Sequence, residues 1–122
     1  MKDEKNLLPR TKAFALRIIN LANSLPNNIA GRAIGNQIIR SGTSVAANYR
    51  AAQRARSTKE FNAKIRIVLE ESDETLFWIE ILQDSKLLKP NLLESIKKEA
   101  DELTAIFCTI SKKSSKQRRI EK

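Results

Sequence analysis

Four arginines at helical spacing are the residues of this sequence best suited to bind a charged ligand. On a helical wheel of about 100° per residue with Ile34 at 0°, the apolar stripe of the predicted second helix spans about 0° to 80°. Four cationic side chains lie at about 160° to 240° on the same wheel: Arg32, Arg40, Arg50 and Arg54. Planar guanidinium groups match the oxygens of phosphate. The spacing predicts a phosphate-binding face, and a solvated face kept polar for solubility is the alternative.

The charge of the chain is unevenly distributed. The net charge is +9, and the stretch from Lys5 through Lys59 contains ten basic residues and no acidic one. Arg56 and Lys59 extend the arginine face into the next turn. From Glu60 through Ser111 there are eleven acidic and six basic residues. Such a distribution favours a densely anionic partner, and the phosphate backbone of RNA or DNA fits that description.

The composition argues against an enzyme. The chain has no histidine, one cysteine (Cys108) and three glycines, so His-based dyads, Cys-x-x-Cys sites and glycine-rich nucleotide loops are excluded. An acidic group, Glu70, Glu71, Asp73 and Glu74, is interpreted as solvent-facing or paired with basic helices, with metal ligation or acid–base chemistry as the alternative. We expect no catalytic residue, no metal and no cofactor.

The apolar periodicity predicts one all-α domain in 122 residues. After an N-terminal lead (1–9), the predicted helices span 10–24, 29–55, 58–86 and 90–111, and a basic, disordered tail covers 112–122. Asn28 is the expected cap of the second helix, and Ser57 with Glu60 forms a capping box before the third. Short connections favour an antiparallel up-down-up-down four-helix bundle over residues 10–111.

Two features of the predicted second and fourth helices need tertiary structure to interpret. Gly31, Gly35 and Gly42 lie inside the second helix, where they either allow close approach of a neighbour or mark a bend near Gly42. The predicted core stripe of the fourth helix begins at Leu92 and continues through Ile96 and Ala100 to Phe107.

The predicted third helix is apolar on two faces. Its core stripe includes Ile65 and Ile79, whereas Ile67, Trp78 and Ile81 lie at about 160° to 220° from that stripe. A second apolar face needs burial, so these three residues are predicted to form a subunit interface. The alternative is a third helix that lies centrally in an asymmetric monomer.

Two stretches of the chain resemble a bacterial four-helix-bundle family named for the 23S rRNA intervening-sequence protein. The first comprises Gln37–Ala52 and the adjoining Arg54–Ser57, and the second is Ile67–Trp78. The common family form Asn-Ile-Ala-Glu-Gly is here Asn48-Tyr49-Arg50-Ala51-Ala52, which is more cationic. The resemblance implies a ring-shaped homopentamer around a central channel. The family is also similar to the accessory protein of diversity-generating retroelements, which implies nucleic acid and possible reverse transcriptase partners.

Taken together, these patterns predict a non-enzymatic, cytoplasmic, oligomeric bundle that binds structured nucleic acid by charge and shape. Sequence-specific reading is not expected, because Tyr49 lies on the buried stripe and no aromatic platform for unpaired bases is evident. The alternative is a protein-interaction scaffold that docks an acidic partner. No apolar run is long enough to span a membrane, and no membrane partner is expected.

Overall fold

The protein folds into four α-helices. The structure, a computed structural model, describes residues 6–121, with side chains from Asn6 through Lys116. The helices are α1 (Leu7–Asn23), α2 (Ile29–Gln53), α3 (Thr58–Ser85) and α4 (Pro90–Glu121), and the described residues contain no strand. Residues 1–5 of the predicted lead and Lys122 lie outside the described residues. The prediction of an all-helical fold with four helices is confirmed.

Two of the helices begin at side-chain caps that the sequence indicates. The Asn28 side chain accepts a hydrogen bond from the Gly31 amide at 2.8 Å, and Ser57 Oγ accepts one from the Glu60 amide at 3.0 Å. The reciprocal half of the predicted capping box is displaced by one residue, because the Glu60 carboxylate accepts from the Arg56 amide at 3.4 Å. These bonds satisfy amides that the helix itself cannot pair.

The helix boundaries differ from the predicted ones by one residue at the ends of α1 and α3 and by more at three other places. Helix α1 begins at Leu7, three residues early, because Pro9 lies in the first turn, where a missing amide costs no hydrogen bond. Helix α2 ends at Gln53 rather than at residue 55. Helix α4 continues through the predicted tail to Glu121, and no glycine or proline follows Ile110 to end it.

Each helix contributes to one apolar core, and neighbouring helices along the chain pack against each other. Fully or almost fully buried side chains include Phe14, Ile18, Ile38, Val45, Ile65, Val68, Ile79, Leu82, Leu103 and Phe107. The predicted stripes are confirmed at these positions. Leu92 is an exception, because it is 55% exposed and Leu93 is buried in its place. Among the described helices, none combines the length and the apolarity needed to cross a lipid bilayer.

A buried polar layer lies inside this core. Thr75 Oγ1 donates to Ser41 Oγ at 2.8 Å between α3 and α2, and the hydroxyls of Ser72 and Thr104 hydrogen-bond at 2.7 Å between α3 and α4. Asn62 differs from these residues, because it is 4% exposed and neither of its amide atoms has a hydrogen-bond partner. Buried polar groups without partners lower stability, so the Asn62 amide is a local cost to the fold.

Helices α1 and α2 are in direct contact at Gly42. A Cβ atom at that position would lie 2.7 Å from Cγ2 of Ile18, a fully buried residue. Helix α2 continues through Gly42. Of the two interpretations of this glycine, the close approach is confirmed.

Helix α1 is also joined to α4 by an ionic cluster. Arg10 donates to both carboxylate oxygens of Glu99, at 2.8 Å from Nε and 2.7 Å from Nη2, and to Glu102 at 2.9 Å. Further along, Arg17 donates to Ser95 Oγ at 2.8 Å. The hydrogen bond from Arg10 holds the pKa of Glu99 below its ordinary value.

We expect Gly42→Ala to lower the free energy of unfolding by about 1–3 kcal/mol, because the added methyl overlaps Ile18 in a packed core. Gly35→Ala is the matched control. Its Cβ would meet Leu25 Cδ1 at 3.5 Å, which is an ordinary contact, so the better helix propensity of alanine should raise stability by up to about 1 kcal/mol. Urea unfolding measures both, and equal stability changes for the two variants would contradict the close approach.

We expect Glu99→Gln to lower stability by about 1.5 kcal/mol at neutral pH, through loss of charge-assisted hydrogen bonds from Arg10. Because the folded-state pKa of Glu99 is lowered, its contribution is present above the unfolded-state pKa and is lost as pH falls through the folded-state pKa. The difference between wild type and variant should therefore shrink on acidification. Glu102→Gln, at a more exposed carboxylate, should have a smaller effect, and a pH-independent difference for Glu99→Gln would refute the assignment.

Candidate nucleic-acid interface

Two of the predicted arginines line a groove between α1 and α2. Arg50 and Arg54 are exposed, and they share a groove of about 530 Å³ with Lys12. Its apolar surface includes Leu8, which is 46% exposed, and Ala47. Small residues on α2 leave room beside the backbone, so the cations surround a shallow apolar floor.

The next two predicted cations lie at the connection between α2 and α3. Arg56 and Lys59 are both exposed, and the Arg56 side chain is 92% exposed. Arg56 lines a second cavity, of about 730 Å³, together with Lys113 of α4. Gln53 lines both this cavity and the groove. The two depressions are therefore adjacent.

We call this surface the basic corner and define it by six residues: Lys12, Arg50, Arg54, Arg56, Lys59 and Lys113. No carboxylate is among the described residues that line the two depressions. The Glu60 carboxylate is 3.9 Å from Arg56 Nε, and this exposed i,i+4 pair contributes little binding energy. The corner thus concentrates positive charge from all four helices and the α2–α3 connection.

Arg40 lies apart from the basic corner, in an ion-pair cluster with α3. Its Nη1 donates to Glu71 at 2.9 Å, and its Nη2 donates to Glu74. The hydrogen bond to Glu74 raises the pKa of the Arg40 guanidinium. Although burial opposes the shift, hydrogen bonds from Trp78 and Arg40 hold the pKa of Glu74 below its ordinary value. A phosphate at Arg40 would have to displace these carboxylates.

Arg32 lies near the other end of α2. Twenty-two residues separate it from Arg54, which corresponds to roughly 33 Å along the helix axis. Its side chain donates to Asn27 Oδ1 at 3.0 Å. Of the six predicted binding residues, the structure therefore brings Arg50, Arg54 and Arg56 to the two adjacent depressions, while Lys59 is exposed in the first turn of α3 and lines neither.

Two cations of the basic corner, Lys12 and Lys113, are not among the six binding residues that the sequence predicts. Both belong to helices other than α2, and a helical wheel compares residues of one helix only. The packing of the first turns of α1 beside the last turns of α2 brings Lys12 to Arg50. The extension of α4 beyond residue 111 gives Lys113 a helical position beside the connection.

The predicted interface residues lie on the outward half of α3. Ile67 is 36% exposed, whereas Trp78 and Ile81 are half-buried. Trp78 packs partly against the core of its own chain, and its Nε1 donates to Glu74 Oε2 at 3.1 Å. Phe77, which the sequence analysis does not single out, is 49% exposed and meets the Trp78 ring edge-on at 5.0 Å between centroids. Phe77 is therefore the more prominent apolar group of this face.

The acidic group on α3 is divided between solvent and ion pairs. Glu70 and Asp73 are exposed, while Glu71 and Glu74 hold Arg40. Within the described part of the chain, no set of three potential ligands is arranged to hold a metal ion. The Cys108 thiol is free and half-buried.

Comparison with known proteins places the chain in a family. No curated protein matches it. A crystal structure from Bacteroides thetaiotaomicron, described as a protein of unknown function from the S23 ribosomal protein family, is similar over 86% of this chain and 97% of its own. The two share 35% sequence identity, with a TM-score of 0.80. The model of the 23S rRNA-intervening sequence protein family matches residues 5–109, and the chain therefore belongs to this family.

Proposed function

We propose that this protein is a non-enzymatic, cytoplasmic nucleic-acid-binding protein that holds the phosphate backbone of structured RNA or DNA on its basic corner. The observation that carries the proposal is that five of the six corner cations, all except Lys59, line two adjacent depressions whose described lining residues include no carboxylate. The family name refers to 23S rRNA, which makes rRNA the first RNA to test.

The chemistry of the corner favours binding by charge and shape. Exposed arginine and lysine side chains bind phosphate oxygens and release condensed counterions, so affinity depends steeply on salt. Arginines also align as rigid forks on phosphate. Contacts to phosphate oxygens position a nucleic acid but carry no sequence information. Binding without strong sequence preference follows.

We also propose that the four helices alternate in direction and that the chain assembles as a ring. Arg10 contacts Glu99 while Arg17 contacts Ser95, so positions rise along α1 as they fall along α4. The exposed apolar residues Ile67 and Phe77 give α3 a surface for a neighbouring subunit. A second α3 is a poor neighbour, because it would bring exposed carboxylates together.

A head-to-tail contact between different faces avoids that repulsion and closes a ring when its rotation permits. The resemblance described above implies five subunits. In such a ring the basic corner is repeated, and several weak phosphate sites act together on one long polyanion. A modest affinity per corner is then sufficient for stable binding.

A protein-interaction scaffold is the second candidate. The groove that Arg50 and Arg54 line also has an exposed apolar residue, Leu8. An acidic amphipathic helix, from a reverse transcriptase or another protein, would match a groove with apolar floor and cationic rim. Salt-dependent binding to RNA separates the candidates, because only the first requires it.

Reversal of charge at the corner is expected to weaken nucleic-acid binding strongly. Arg50→Glu with Arg54→Glu should weaken binding at least tenfold and lower the salt slope by about 1 to 2, because each lost phosphate contact changes that slope by slightly less than 1. Fluorescence anisotropy of labelled 23S rRNA fragments and duplex DNA at several salt concentrations measures both.

Arg32→Glu with Lys98→Glu is the matched control for this experiment. It makes the same change in net charge at exposed residues that line neither depression of the corner, and it should retain most of the affinity. Equally weak binding by wild type and both variants would reject nucleic-acid binding by this surface.

Phe77→Asp is expected to dissociate the assembly, because it places a charge at the most exposed aromatic ring of α3. Light scattering coupled to gel filtration should show a fall from the oligomer mass toward the 13.8 kDa chain. Leu92→Asp, at an exposed leucine on α4, should leave the mass unchanged. An unchanged mass for Phe77→Asp would show that this face is not the interface, and a monomeric wild type would reject assembly.

A further inference from the structure

The second cavity of the basic corner has an apolar floor as well as a cationic rim. It lies between the α2–α3 connection and the last turns of α4. Its volume of about 730 Å³ is within the range of sites for small molecules and cofactors. The cavity therefore has room for more than a phosphate ion.

Aromatic and aliphatic side chains form the floor of this cavity. Tyr49 and Ile110 are almost fully buried, and the Tyr49 ring packs against Phe107 at 5.6 Å between centroids. Phe61 is half-buried, packs on the core and lines the cavity. From the sequence, no aromatic group is predicted on the nucleic-acid-binding surface. The structure places one, Phe61, where part of the ring borders an open cavity.

The rim brings positive charge from two separate segments. Arg56 belongs to the connection, and Lys113 belongs to α4. The first turn of α3 adds the positive end of its helix dipole, since Ser57 and Thr58 also line the cavity. The Glu60 carboxylate is 3.9 Å from Arg56 Nε, which is a long ion pair.

An apolar floor under a cationic rim matches a ligand with a flat ring and a phosphate. We propose that the cavity takes one unpaired nucleotide of the nucleic acid held by the basic corner, with the base against Phe61 and Ile110 and its phosphate between Arg56 and Lys113. This inference rests on the proposed function. A paired base cannot reach the cavity, because it is stacked inside the duplex, whereas a base in an overhang, loop or bulge can leave the stack.

A nucleotide site in this cavity gives the protein a preference for unpaired strands, which charge alone does not give. Phosphates are present in paired and unpaired strands, so the cations of the corner bind both. Contact of one base with an aromatic ring increases affinity by about tenfold, with little dependence on base identity. We therefore expect selection for duplexes that carry an unpaired end, without selection for a sequence.

The test compares two labelled RNAs by fluorescence anisotropy: a blunt duplex, and the same duplex with a three-nucleotide 3′ overhang. Wild type should bind the second about tenfold more tightly. Ser114→Phe fills the cavity from its half-buried position on α4, and it should reduce overhang affinity to that of the blunt duplex without weakening duplex binding. Ala55→Phe fills the cavity from the connection and serves as a second, independent variant.

Thr109→Phe is the matched control, because Thr109 is exposed on the same helix and does not line the cavity. Circular dichroism melting establishes that each variant is folded. Equal affinity of wild type for both RNAs would overturn the nucleotide site and leave the proposed function standing. An overhang preference that survives in both filled variants would also overturn it. Binding to an acidic peptide but to neither RNA would overturn the site and the proposed function together.

Discussion

The close approach of α1 and α2 at Gly42 is the constraint on which the rest of the molecule depends. Ile18 occupies the space that any larger residue at position 42 would need, so the two helices are held together at this level. One and two turns further along α2, the groove of the basic corner opens between Ala47 or Arg50 and the start of α1. A glycine contact in the core therefore fixes the separation of the cations that line a surface groove, although it touches none of them.

Ion pairing inside the chain decides which cations remain available to a ligand. Arg10 and Arg40 are both occupied, the first by Glu99 and the second by Glu71 and Glu74. Their carboxylate partners lie on α3 and on the first half of α4, within the acidic stretch of the chain. The depressions around Arg50 and Arg56 have no such lining. The arginines of the chain therefore fall into two groups. Some form ion pairs that join helices, and others face solvent where no carboxylate is among the described lining residues.

Local features of the fold could be predicted from the sequence, and features that depend on neighbouring helices could not. The cap at Asn28 and most of the buried stripes follow from residue types and periodicity within one helix. The predicted end of α4 is too early because a polar composition resembles a tail, whereas no glycine or proline there stops the helix. The helical wheel of α2 groups Arg40 with the other arginines because it contains no information about Glu74. Lys113 joined the corner only through the packing of α4.

The separation of positive and negative charge along the chain also makes the molecule electrically polar. From Lys5 through Lys59 the chain has no acidic residue, and from Ile67 through Asp84 it has no basic one. Such a separation produces a permanent electric dipole moment in addition to the net charge. In the field of a polyanion, a dipole experiences a torque before any contact forms, so the cationic helices would turn toward the strand while the acidic face of α3 turned away. The productive orientation would then be selected during diffusion, which raises the rate of association.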